Sequence, residues 1–258
     1  MLKILLTGCA GRMGRAVIEA AKENGRAKIV AGVDISENLQ SFPCPVYRSV
    51  YDYAGDADVI VDFSHYSLTR DLLEYAVKRS LPIVIATTGH TAEESLAIKR
   101  AGEFIPVFYS RNMSLGINLI IKLAKTAAAM LGDDWDIEII EKHHKKKLDA
   151  PSGTALMIAS ALEDSLSYQP VYTYDRHHEH REREKNEIGI HTIRGGTIVG
   201  EHEVIFAGKD EVLTLSHSAA SREVFAYGAL RAAEFMRGRT PGNYNMNDLV
   251  SSTISPDN

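Results

Sequence analysis

The stretch Leu2-Lys-Ile-Leu-Leu-Thr7-Gly8-Cys9-Ala10-Gly11-Arg12-Met13-Gly14, with Lys28-Ile-Val-Ala-Gly-Val-Asp34 behind it, decides the fold of this chain. The apolar run at 2–7 ends on the first of three glycines. In Arg15–Glu23, which follows, Val17, Ile18 and Ala21 fall on one helix face. A second β-branched run, 28–34, then closes a strand, Gly-rich turn, helix, strand unit of about 30 residues. The glycines are spaced G-x-x-G-x-x-G, a variant of the commoner G-x-G-x-x-G. Such glycines serve where a turn is tight, where backbone must approach a pyrophosphate, and where helix packs closely on strand. Asp34 stands twenty positions after Gly14, at the end of the second strand, placed to accept hydrogen bonds from an adenosine ribose. The expected ligand is therefore a dinucleotide.

The alternation continues outward from this unit. Strands are expected at Asp58–Phe63, Pro82–Ala86 and Pro106–Tyr109, with helices near 66–79 and 92–102 between them. Continuous apolar strands separated by helices make a Rossmann-type, doubly wound parallel sheet covered on both faces. Past residue 113 the pattern changes. A long apolar helix, Leu115–Met130, precedes the alternating strand Trp135–Glu141, and a helix is expected over 153–167. The segments Glu187–Ile193, Gly200–Ala207 and Val212–His217 then read as strands with no helix between them. The expectation is an α/β chain of two domains. Residues 1–114 form a dinucleotide-binding domain, to which 217–258 return through a helix at Ser221–Met236. Residues 115–216 form an α+β substrate-binding and oligomerisation domain with a mixed or antiparallel sheet.

Bulk properties exclude several classes. With 29 basic against 34 acidic residues and a net charge of −5, general attraction to nucleic acid is not expected. The two cysteines, Cys9 and Cys44, give neither a disulfide framework nor metal-ligand spacing, and fit a reducing compartment. No apolar run approaches the roughly 18 residues of a membrane span, and the N-terminal run is too short for a signal peptide. A cytoplasmic protein with no membrane or nucleic-acid partner is expected. The mixed-charge run Arg176–Lys185, with His177, His178 and His180, reads as a solvated surface loop rather than a metal cluster.

A second constellation lies in Glu141-Lys-His-His-Lys-Lys-Lys-Leu-Asp-Ala-Pro-Ser-Gly-Thr154. Pro151 cannot sit inside a helix and Ser152 is a good N-cap, so a helix begins near Gly153 with free N–H groups at its start. Gly153 and Thr154 can thus hold a carboxylate or phosphate, while His143, His144 and Lys147 supply charge and protons. Lys145 and Lys146 read as solvated charge, and no histidine pair has metal-ligand spacing. In the first domain, Thr87-Thr88-Gly89 and Ser110-Arg111-Asn112-Met113 follow strands at their C-terminal ends, the edge where ligands bind in such sheets. These loops are candidates to border a nicotinamide. The Asp34 carboxylate disfavours a 2′-phosphate and so favours NADH, whereas Arg12 would partly offset that repulsion and admit NADPH.

Glu-x-His-His-x-x-Lys-x-Asp-Ala-Pro-Ser-Gly-Thr, Gly-x-x-Gly-Arg-Met-Gly at the start, and Ile193-Arg-Gly-Gly-Thr-Ile-Val-Gly-Glu-His202 together resemble the 4-hydroxy-tetrahydrodipicolinate reductase (dihydrodipicolinate reductase) family. Asp62-Phe-Ser, Ala-Thr-Thr-Gly89 and Ser218-Ala-Ala-Ser-Arg222 extend the likeness over nearly the whole chain. The resemblance implies an NADH- or NADPH-dependent oxidoreductase of diaminopimelate and lysine biosynthesis, generally a homotetramer, acting on a small cyclic dicarboxylate. It implies His143 as catalytic acid/base, Lys147 as proton donor, and His144, Gly153 and Thr154 as carboxylate ligands. It also implies cofactor contacts from Gly8, Cys9, Ala10, Gly11, Arg12, Met13, Asp34, Ala86, Thr87, Thr88, Ser110, Arg111, Asn112 and Met113. Two positions depart from the family pattern: Ala86 where glycine is frequent, and Met113 where phenylalanine is frequent; Ile35 follows Asp34 where an arginine would assist NADPH. The residues alone leave open another two-domain nicotinamide reductase of a small amino or keto acid, or a dinucleotide sensor without turnover.

Overall fold

The computed structural model describes residues 1–36 and 42–254. The chain runs β1 (Leu2–Thr7), α1 (Arg12–Asn24), β2 (Ala27–Val33), β3 (Val46–Tyr47), β4 (Val59–Asp62), α2 (Thr69–Arg79), β5 (Ile83–Ile85), α3 (Ala92–Ala101) and β6 (Pro106–Tyr109). It continues through α4 (Leu115–Leu131), β7 (Asp136–His143), α5 (Gly153–Glu163), β8 (Val171–Thr173), β9 (Glu187–Arg194), β10 (Gly200–Ala207) and β11 (Val212–Ala219). It closes with α6 (Glu223–Phe235), β12 (Gly242–Tyr244) and α7 (Met246–Ile254). These elements form two compact units, Met1–Leu115 with Arg222–Asn258, and Gly116–Ser221. Of the expected 217–258 return, 217–221 belong instead to the second unit, because β11 runs on to Ala219, and the last four residues lie outside the described residues.

The first unit is a parallel sheet ordered β12-β6-β5-β4-β1-β2-β3, the doubly wound arrangement, with its direction of growth reversing between β1 and β4. Its central strands bury nearly every side chain, which is why they read as unbroken apolar runs. One layer packs α1 and α6 on the sheet through Val17, Ile18, Ala229, Leu230 and Ala233, and the opposite layer packs α2 and α3 through Leu72, Leu73, Ala76 and Ile98. A fully buried side chain such as Leu230 or Ile83 contributes about 1.5–3 kcal/mol through removal from water. Local signals fix the helix ends. Thr91 and Glu94 form a capping box at the start of α3, and Gly25 closes α1 in the left-handed conformation, φ 61°.

The second unit is a five-stranded mixed sheet, ordered β11-β10-β7-β9-β8. β9 runs parallel to both β7 and β8, and β10 runs antiparallel to both β7 and β11. Helices α4 and α5 cover one face, burying Ala124, Ala128, Ile158 and Leu162 against Ile137, Ile139, Ile188, Ile190, Val204 and Phe206. The other face carries charge in alternation: Lys142 pairs with Glu201 and Glu203, and Glu138 with His191. The 176–185 run is a loop with exposed histidines, as expected, but it is not solvated throughout. Arg176 and Arg183 are half-buried, Arg176 pairing with Glu138 and Glu187, and Arg183 with Glu138 and Asp136. The charge alternation hid this, because Glu138 and Asp136 stand on β7, far away in sequence.

Candidate functional site

The expected site residues fall into two groups, one in each unit. In the first unit, the turn after β1 is built by backbone that tolerates no side chain. Gly8 has φ +71°, and a Cβ there would lie 2.4 Å from the Phe63 carbonyl oxygen. A Cβ on Gly14 would lie 2.2 Å from the Gly8 carbonyl oxygen, so glycine lets the first turn of α1 press against the loop. Beside this turn opens a cavity of about 480 Å³, whose lining includes Gly8, Ala10, Gly11, Asp34, Arg48 and His65. Asp34 accepts from the N–H groups of Ala10 (2.8 Å) and Ser36 (2.9 Å), leaving carboxylate lone pairs for a further donor such as a ribose hydroxyl. Volume, glycine cradle and strand-end carboxylate all fit a dinucleotide, which Gly8–Gly11 and Asp34 would hold. Cys9 turns its side chain into the core, fully buried, where burial and then the Asp34 charge push the thiol up to about 12. Its only route to a ligand is its backbone. Arg12 is exposed at the first position of α1.

Ala86, Thr87 and Thr88 follow β5, and Ser110 to Met113 follow β6, at the same edge of the sheet as Gly8 and Asp34. The Ser110–Met113 turn is self-braced: Ser110 Oγ donates to the Asn112 carbonyl at 2.8 Å, and Asn112 Oδ1 accepts from the Ser114 N–H at 2.9 Å. Met113 is buried, with α6 closing on its backbone at Gly228. The residue that ties this edge together was given no role from sequence. Buried Asp62 accepts from Thr7 Oγ1 (2.6 Å), Thr87 Oγ1 (2.7 Å) and the Ser64 N–H (2.9 Å), bracing the ends of β1, β4 and β5 around one carboxylate.

In the second unit the inner face of the sheet changes character along its strands. It is apolar at one end and polar at the other, where Thr192, Glu141, His202 and His217 stand in register across β9, β7, β10 and β11. His143 lies two residues beyond Glu141 on the same face, opposite Arg194. Glu141 is fully buried and accepts five hydrogen bonds: from His143 Nδ1 (2.5 Å), the Ser152 N–H (3.0 Å), Thr192 Oγ1 (3.1 Å) and both terminal nitrogens of Arg194 (2.8 and 2.7 Å). Burial alone would push this carboxyl up, but Arg194, His143 and the Ser152 amide outweigh it and hold the group at about 2. Burial, reinforced by nearby His143, pushes His202 down to about 4 and keeps it neutral near pH 7. Its Nε2 meets Ser152 Oγ at 3.0 Å, and its ring stands edge-on to that of His143.

Ser152 caps α5 as expected, its Oγ accepting from the Ala155 N–H. The next amide and the preceding basic turn already grip a carboxylate of the chain itself. Lys147 Nζ lies 2.8 Å from Asp149 Oδ1, and this ammonium, with further help from the Gly153 N–H, holds the Asp149 carboxyl below its usual range. The structure therefore places Lys147 on an anion just ahead of α5, with Gly153 and Thr154 opening that helix, His144 at the start of the turn, and His143 at the end of β7. The turn is pinned from below, the His143 carbonyl accepting from the Gly195 N–H and the Gly196 carbonyl from the Lys145 N–H. Lys145 and Lys146 are exposed. Glu141, Arg194 and His202 were not assigned from sequence. The available signal was phase: Glu141 and His202 fall in step with core positions Ile137, Ile139, Val204 and Phe206, where an unpaired polar residue is not tolerated.

Among the described residues, no group of three or more His, Cys, Asp or Glu is placed to hold a metal ion, and no helix is long and apolar enough to cross a membrane.

Family models described as dihydrodipicolinate reductase, N-terminus and C-terminus, match residues 2–113 and 116–250. A 4-hydroxy-tetrahydrodipicolinate reductase of Caldanaerobacter subterraneus is 52% identical over 250 residues, covering 97% of this chain and 98% of the relative. One from Clostridium novyi is 46% identical over 252 residues, covering 98% and 99%. Among solved structures, a dipicolinate-bound dihydrodipicolinate reductase of Paenisporosarcina sp. TG-14 shares the fold with a TM-score of 0.80 at 23% identity, over 95% of this chain and 97% of that one.

Proposed function

The chain belongs to the dihydrodipicolinate reductase family, and from that premise we propose that it reduces 4-hydroxy-tetrahydrodipicolinate, by way of dihydrodipicolinate, to tetrahydrodipicolinate with NADH or NADPH, in the diaminopimelate route to lysine. The observation that carries the substrate assignment is the hold of Lys147 on the Asp149 carboxylate, just ahead of the start of α5. A substrate carboxylate meets the same chemistry there: a cation, helix N–H groups and the start of the α5 dipole. His144 and Thr154 complete the grip on the dicarboxylate.

Bound NAD(P)H supplies a hydride to the ring carbon that carried the hydroxyl. The chain's own work is proton handling. Loss of that hydroxyl as water needs a proton at the departing oxygen and a group to take one from the neighbouring ring carbon. After reduction the same ring needs a proton back at that neighbouring carbon. His143 is the acid/base for these transfers and Lys147 the proton donor. In the first unit, Gly8–Met13 and Asp34 hold the adenosine and pyrophosphate, and Ala86–Thr88 with Ser110–Met113 border the nicotinamide. Asp34, followed by apolar Ile35, supports a preference for NADH. The charged alternation on the other face of the second sheet supports a homotetramer assembled through that face.

The test is oxidation of NADH, with NADPH in parallel, in the presence of the condensation product of pyruvate and aspartate semialdehyde. Lys147→Ala is expected to lower turnover by about 10² to 10⁴ while leaving NADH binding in place. No oxidation of either cofactor by the intact protein would refute the assignment.

A further inference from the structure

Glu141 has no role in the scheme above, yet it is fully buried and charged, and its five hydrogen bonds are more than a strand needs. The bonds divide unevenly between its two oxygens. Oε1 accepts from the Ser152 amide, Thr192 Oγ1 and one Arg194 nitrogen, whereas Oε2 accepts from the other Arg194 nitrogen and faces His143 Nδ1. An ionised carboxylate can only accept, so Nδ1 must carry the hydrogen, and a neutral His143 keeps its lone pair on Nε2. The surroundings keep that second nitrogen open. Gly200 stands beside it, and a Cβ there would lie 3.1 Å from Nε2. Neighbouring His202 is neutral, so it adds no repulsive charge when the ring takes up a proton.

We propose that Glu141, clamped by Arg194, is the positioning residue that fixes the Nδ1–H form of His143 and so makes Nε2 the nitrogen that takes and gives the proton. In the uptake step Nε2 binds a proton and the ring becomes a cation facing the Glu141 anion. In the return step the N–H bond at Nε2 breaks and the ring regains its neutral Nδ1–H form. Glu141 stays ionised throughout, and the proton on Nδ1 never leaves. The proposal rests on the assignment of His143 as the acid/base.

The bond pattern defines the decisive variant. In Glu141→Gln the three donors around Oε1 retain the amide oxygen, so the amide NH2 takes the place of Oε2 and points its hydrogen at Nδ1. His143 then switches to the Nε2–H form, which has no lone pair where the proton must be received. The expected result in the full-length protein is a fall in kcat of about 10² to 10⁴ with KM nearly unchanged, as for other acid/base groups locked in the wrong tautomer. In ¹⁵N NMR spectra of histidine-labelled protein, the His143 protonated nitrogen should move from Nδ1 to Nε2. Glu141→Asp, which keeps the carboxylate, should retain the Nδ1–H form and recover much of the lost kcat. Because the Gln amide also faces an Arg194 N–H, the Glu141→Gln/Arg194→Met double variant relieves that conflict and is read the same way if the single variant does not fold. Wild-type kcat in either variant, or a lowered kcat with His143 still protonated on Nδ1, overturns the proposal. His143→Ala separates the two levels: if it turns over normally the acid/base assignment itself fails, whereas if it is inactive and Glu141→Gln is not, only the positioning role fails.

Discussion

Glu141 also sets a pH-dependent part of the second unit's stability, and its size follows from the structure. The carboxyl is fully buried, and its bonds to Arg194, His143 and Ser152 bring it from 4.5 to about 2. At about 1.36 kcal/mol for each pH unit, an ionised Glu141 favours the folded state by about 3 kcal/mol at neutral pH. The folded value is depressed, so this stabilisation is present in full above the unfolded value of 4.5 and is lost as pH falls toward 2. At pH 3 the unfolded carboxyl is almost wholly protonated while the folded one is still mostly ionised, and about 2 kcal/mol has gone. Glu141→Gln has no such proton to bind. The variant is less stable than the parent at pH 7, since it leaves Arg194 without its counter-charge, and the gap should narrow by about 2 kcal/mol between pH 7 and pH 3. The chain's single tryptophan, Trp135, packs against the second unit's core, so urea unfolding followed by its fluorescence reports on the unit that holds Glu141. A gap that stays constant over this range, or widens in acid, would refute the reasoning.

Gly14→Ala places a Cβ 2.2 Å from the Gly8 carbonyl oxygen, a clash with backbone whose relief costs about 1–3 kcal/mol and moves the turn. NADH affinity measured by calorimetry should fall at least about tenfold, with Trp135 unfolding unchanged; retained affinity would mean the turn does not carry the pyrophosphate. Asp34→Ala removes the acceptor for a ribose hydroxyl and for the Ala10 amide, so both cofactors bind less well, NADH more so. Equal losses, compared by titration of each cofactor, would show that Asp34 does not touch the ribose.

The architecture is legible in the sequence where its causes are local. Buried parallel strands leave unbroken apolar runs, and the glycine turn and the Thr91 and Ser152 caps act within a few residues. β3, β8 and β12 leave no such mark. They span only two or three residues and exist because an edge of a sheet was there to pair with. α7 is short and mixes Asn, Ser and Thr among its apolar residues, so its periodicity is weak and burial of Leu249 and Val250 decides it. α1 begins at Arg12, three residues before the expected start at Arg15, because Gly14 lets its first turn pack against the loop.

The site divides in the same way. His143, His144, Lys147, Gly153 and Thr154 lie in one continuous motif beside a helix start, where residue chemistry and capping can be read together. Arg194 reaches Glu141 across 53 residues, and Ser152 reaches His202 across 50, through a register that no local pattern encodes. Asp62 is similar: it looks like the end of an apolar strand, and only the convergence of three strands around it reveals a brace.

The central claim is hydride delivery from a nicotinamide to the substrate ring, and its most direct measurement is isotopic. The protein is supplied with NADH carrying deuterium at both C4 positions and with the freshly formed condensation product in ordinary water, and the reduced ring is analysed by mass spectrometry and NMR. One deuterium on the ring carbon that bore the hydroxyl, with the neighbouring hydrogen drawn from solvent, is the predicted result; a product with no deuterium there would contradict the account.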